Sequence, residues 1–130
     1  MRRTPTIAPY LIVIAILVGC GASTPTPPPN TGIIGTITLG PMCPVQQDNQ
    51  PCPDNPFQAT LTLIDERGNK VMTMESDATG NFQANLAPGT YTLHPEPPQQ
   101  GLFPIAADQT VTVVAGQYTQ VQVVYDTGIR

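Results

Sequence analysis

The chain has no tryptophan, a single histidine (His94) and a single lysine (Lys70), and charged residues make up only 11% of it. Each shortage closes a route. Tetrahedral zinc wants four nitrogen or sulfur ligands, and one histidine beside cysteines that have other uses does not supply them, so no metal is expected. His94 ends an alternating run with no serine or cysteine nucleophile motif nearby, so no catalytic residue and no cofactor is expected. Lys70 falls just after a turn, which leaves no core lysine for an intramolecular isopeptide crosslink. Asp65-Glu66 and Asp77 lack the repeated oxygen-ligand spacing of a calcium loop. No apolar run reaches the roughly 20 residues of a membrane-spanning helix. Helix-period apolar spacing is missing after the first twenty residues, and sixteen prolines cut the chain often, each removing a backbone donor.

What is present begins at the N-terminus. Met1-Arg2-Arg3 is a short positive start, and Leu11 to Val18 is almost wholly aliphatic, the pattern of a secretory signal. The run ends in Leu17-Val18-Gly19-Cys20, which resembles the bacterial lipobox. That resemblance implies cleavage before Cys20 and a diacylglyceryl thioether on its sulfur, with fatty acylation (palmitate or a similar chain) of the freed amine. Two or more chains at about 0.8 kcal/mol per buried methylene anchor a protein stably without a span. A lipoprotein signal peptide is therefore expected over 1–19. Without Arg2 and Arg3, three cations face nine carboxylates, a formal charge of −6. Such a surface repels nucleic acid and gives phosphates no basic patch.

Residues 20–31, with Cys20 first, read as a linker. Gly21 to Thr31 has no side chain able to build a core, and its consecutive prolines favour polyproline II at about 3.1 Å per residue. This makes a semi-rigid spacer of roughly 30 Å.

Residues 32–130 read as one all-β domain, a seven-stranded antiparallel β-sandwich. Alternation marks Ile34 to Leu39, Ala59 to Leu63, Val71 to Met74, Phe82 to Leu86, Thr90 to Leu93, Val111 to Val113 and Val121 to Tyr125. Between them lie the turns Asp65-Glu66-Arg67-Gly68-Asn69, Asp77-Ala78-Thr79-Gly80-Asn81, Ala87-Pro88-Gly89 and Ala115-Gly116-Gln117. One phase of each strand is apolar and the other is rich in Thr, Gln and Asn, so two sheets can share a core.

The strings Gly32-Ile-Ile-Gly35-Thr-Ile37, Ala59-Thr-Leu-Thr-Leu63, Asp77-Ala-Thr-Gly80-Asn-Phe82 and Leu86-Ala-Pro-Gly89-Thr-Tyr91 resemble the carboxypeptidase regulatory-like domain. This implies a transthyretin-like topology, with Gly80 turning the chain, Phe82 re-entering the core and Tyr91 packing beneath Pro88-Gly89. The chain departs from that pattern between Gly40 and Asp54, where a long loop holds Cys43 and Cys52. With Cys20 lipidated, these two remain, and in an exported protein a disulfide is expected.

The resemblance implies a non-catalytic, surface-displayed structural or protein-interaction module, lipid-anchored in the bacterial cell membrane or outer membrane and facing away from the cytoplasm. The expected partners are the membrane itself and an envelope protein or glycan. The proline-rich stretch 94–104, with Leu102 and Phe103, is the candidate partner loop. The alternative is a carbohydrate-binding module of the starch-binding-like sandwich type. It needs an exposed aromatic platform, for which Tyr118, Phe57 and Phe103 are the candidates.

Overall fold

The computed structural model describes residues 21, 26–45, 49–98 and 101–130. The expected signal peptide over 1–19 and the expected lipidation site, Cys20, lie outside the described residues. Among the described residues eight strands run in order: β1 (Gly32–Gly40), β2 (Asn55–Pro56), β3 (Thr60–Asp65), β4 (Lys70–Glu75), β5 (Asn81–Asn85), β6 (Gly89–Pro95), β7 (Gln109–Val113) and β8 (Tyr118–Asp126). No helix is assigned among the described residues, and none there is long and apolar enough to cross a membrane.

The strands form two sheets packed into a sandwich. In the first, β1 is central: β8 runs along one side, and β5 followed by β2 lines the other. The second has the order β4-β3-β6-β7. Each of the seven alternating runs falls on a strand, but the expected count of seven is one short. The eighth, β2, pairs only Pro56 with Thr38 and Asn55 with Leu39, too short a stretch to alternate. The pairing is antiparallel but for β1 and β8, which run parallel from Gly32↔Tyr118 to Gly40↔Asp126. Parallel neighbours need a long crossover, and here the six strands from β2 to β7 provide it.

The apolar phase of each strand meets in the middle. Ile33 and Ile37 of β1, Leu61 and Leu63 of β3, Leu93 of β6, and Val123 and Tyr125 of β8 are fully buried, with Phe82, Ala84, Val111, Val113 and Val121 nearly so. Tyr125 keeps its hydroxyl satisfied by donating to the Glu96 carbonyl (2.7 Å). Burial, with the Glu96 charge as a smaller cause, pushes its phenol up to about 12.

Thr31, last residue of the expected linker, is also fully buried. Its hydroxyl accepts from the Gly116 amide (2.8 Å) and its carbonyl accepts from the Leu86 amide (3.1 Å). The contacts of the sandwich thus begin one residue before β1.

Candidate functional site

Three regions carry side chains that the core does not use: the outer face of each sheet and one end of the sandwich.

The end begins where β1 stops. The Thr127 amide donates to the Gly40 carbonyl (3.0 Å), and the Thr127 hydroxyl donates to the Pro41 carbonyl (2.7 Å). Ile105 and Asp126 exchange backbone hydrogen bonds of 3.1 and 2.6 Å, and Gly128 lies against the Phe103 ring. The loop after β1, the segment before β7 and the residues after β8 are therefore tied into one pole. Cys43 and Cys52 are joined there as a disulfide, with their Cα atoms 6.1 Å apart. Leu102 is 83% exposed, Phe103 50% and Ile105 47%, and Val45 of the disulfide loop is exposed too. Asp126 and Arg130 close this end as an ion pair (2.8 Å). The guanidinium hydrogen bond holds the Asp126 carboxyl down to about 2.

The outer face of β4-β3-β6-β7 is built on threonine. Thr60 and Thr62 of β3, Thr73 of β4, Thr90 and Thr92 of β6, and Thr110 and Thr112 of β7 occupy its polar phase. The Thr62 hydroxyl donates to Glu96 Oε1 (2.7 Å) and lies 3.3 Å from that of Thr73. Beside it the half-buried His94 places Nδ1 2.6 Å from Asp108 Oδ1 and Nε2 3.9 Å from Glu96 Oε2. The imidazole clasps the end of β6 to the segment before β7. Its side-chain partners among the described residues are both carboxylates, and the nearby Thr62 hydroxyl is engaged with Glu96, so no nucleophile-to-base hydrogen bond of a catalytic pair forms there. Among the described residues no three His, Cys, Asp or Glu side chains converge as metal ligands.

The outer face of β5-β1-β8 carries amides. Register places Asn81, Thr36 and Gln122 in one row. The next row is Gln83, Ile34 and Gln120, and the third is Asn85, Gly32 and Tyr118. A groove of about 450 Å³ is lined by Asn81 and Thr36 of the first row, by Gln83, Ile34 and Gln120 of the second, and by Asp77. A second hollow of about 300 Å³ shares Gly35, Thr36 and Gln120 and extends to Gln122. Tyr118 donates to Asn85 Oδ1 (2.7 Å) across the central strand. Adjacent strands are about 4.8 Å apart, so this bond takes the phenol ring over Gly32, the position in that row without a side chain.

Two turns of like sequence border these faces. Asp65 Oδ1 accepts from the Arg67 and Asn69 amides (2.9 and 2.8 Å). Asp77 Oδ1 accepts from the Thr79 and Asn81 amides (both 2.9 Å) and from the Thr79 hydroxyl (2.7 Å). Gly68 and Gly80 take φ of +83° and +80°, where side chains are disfavoured. The Asn69 amide bond chiefly holds the Asp65 carboxyl below its ordinary value, and for Asp77 the Thr79 hydroxyl is the main cause. These carboxylates serve their own turns.

Of the aromatic candidates, Tyr118 lies on the amide face and Phe103 at the pole. Phe57 is no platform: its ring stacks tilted on Tyr125 at 5.0 Å and packs against the core. Its amide donates to the Ile37 carbonyl (3.0 Å), which draws the ring inward. Tyr91 packs beneath its turn as expected, its hydroxyl donating to the Ala87 carbonyl (2.7 Å). The His94–Asp108 pair and the amide rows depend on which strands become neighbours, and alternation does not say that.

No family model matches the chain, and no curated protein does. Six chains of solved structures match. One, the Bacillus anthracis TIE protein, is 17% identical with a TM-score of 0.40, over 75% of this chain and 17% of its own length. The present chain thus covers well under two thirds of that protein, and the all-β assignment rests on the two sheets themselves.

Proposed function

We propose that this chain is a non-catalytic lipoprotein of the bacterial cell envelope. Cys20 carries the acyl chains, residues 20–31 form the spacer, and 32–130 are a carboxypeptidase regulatory-like sandwich of transthyretin-like topology that presents a protein-interaction surface. The observation that carries the reading is polar separation. Thr31 enters at the start of β1, whereas Leu102 and Phe103 stand exposed beyond the residues that close its far end. Nine strand residues at about 3.3 Å each put roughly 30 Å between the two poles. A sandwich moored through Thr31 holds its apolar loops away from the bilayer, where a partner meets them.

Cell fractionation with acyl labelling tests the mooring. The parent is expected in the membrane fraction and labelled, and the Cys20→Ala variant soluble and unlabelled; equal retention of both refutes it. For the pole, Leu102→Ser with Phe103→Ser is expected to reduce crosslinking to envelope proteins with the melting temperature unchanged. Undiminished crosslinking refutes that part.

A further inference from the structure

We infer that the outer face of β5-β1-β8 is a binding groove for a neutral polysaccharide. On β5, on β1 from Gly32 to Thr38 and on β8 from Tyr118 to Val124, every residue in the outward phase is uncharged. The one charged group lining the groove is Asp77, and its Oδ1 is committed to its own turn. An anion would meet that carboxylate with no cation to offset it, inside a domain of formal charge −6. A cation would find no second acid to share it. What the groove offers is Gln83 and Gln120 on either side of Ile34, with Thr36 in the next row.

A carboxamide both donates and accepts, and so does a sugar hydroxyl, so amides flanking an apolar floor match a pyranose that shows hydroxyls at its rim and C–H groups on its face. Tyr118, held across β1 by Asn85, adds an aromatic surface one row beyond. Rows on one face repeat about every 6.6 Å along the strands, which gives the groove the length of a short run of sugar rings. An extended peptide fits less well. The backbone of β1, which forms the floor of the groove, is already paired on both sides, so a peptide lying over it finds no main-chain edge there to hydrogen-bond. The surface is independent of the Leu102–Phe103 pole and of lipidation.

The test uses the ¹⁵N-labelled full chain in detergent, titrated with maltohexaose, with chitotetraose and, as an anionic control, with an oligogalacturonate. The side-chain amide signals of Gln83 and Gln120 are expected to move with at least one neutral oligomer and to stay in place with the anionic one. Gln83→Thr with Gln120→Thr should weaken that binding about tenfold, the loss of two amide contacts. Tyr118→Ala should weaken it further, and melting temperatures should stay near the parent's. The proposal is overturned if neither neutral oligomer moves those signals at millimolar concentration. It is equally overturned if the shifts fall at Leu102 and Phe103 instead, if the oligogalacturonate binds as well, or if the double variant binds like the parent.

Discussion

The two outer faces of this sandwich solve the same problem with different side chains. Over β4-β3-β6-β7 the outward phase is mostly threonine; over β5-β1-β8 glutamine and asparagine are its largest group. Threonine is branched at Cβ, has few χ1 choices to lose and fits the pleat, so it suits a face whose task is to hold a sheet together. Glutamine is long and unbranched, and ordering it costs more entropy. A sheet gains nothing in folding from Gln83, Gln120 and Gln122 that threonine would not supply better. Their concentration over a groove is therefore the feature to interrogate.

The largest effect should come from removing what both faces share. Leu63→Ala, beneath the threonine face, and Ile37→Ala, beneath the amide face, are each expected to cost about 2–5 kcal/mol in urea unfolding. A sandwich with one core should lose both faces in a single transition. Next comes the threonine face itself. Thr62→Val keeps the branch but removes the hydroxyl that bonds Glu96, and should cost about 0.5–1.5 kcal/mol, because the Glu96 and Thr73 left behind are within reach of water. On the amide face, Gln120→Thr or Gln122→Thr should change unfolding by no more than about 0.5 kcal/mol either way. A clear loss there would mean that the amides are structural and would erase the contrast.

The smallest effect concerns acid. Asp65 and Asp77, one turn beside each face, titrate below the ordinary 3.8 in the folded state. A depressed folded value means that the charged form stabilises the fold above pH 3.8, and that this contribution fades as pH falls through the folded value. Melting temperature should drop in this acid range, and Asp65→Asn and Asp77→Asn should each flatten that limb. Asp126, held at about 2, carries the decline further down.

Much of the architecture could be read from residue order alone, because turns and alternation are local. Asp65 to Asn69 and Asp77 to Asn81 announce their hairpin geometry through an aspartate that caps amides and a glycine that takes positive φ. Cys43 and Cys52 pair within one loop, so their partnership needed no knowledge of the fold. The neighbours of β1 were not legible. Period-2 patterning assigns a side chain to a face but does not name the adjacent strand, and the parallel seating of β8 brings Gln120 beside Ile34. Phe57 misled for the same reason: outside any alternating run, its direction is set by the Ile37 carbonyl. His94 found Asp108 only because β6 and β7 are adjacent.

The parallel seam between β1 and β8 has a mechanical consequence. Its nine registered positions begin beside Thr31 and finish beside Thr127. Tension applied between those two residues drags one strand lengthwise past the other, loading the whole row of cross-strand bonds together instead of peeling them one after another. No other pair of strands in the two sheets shares so long a register.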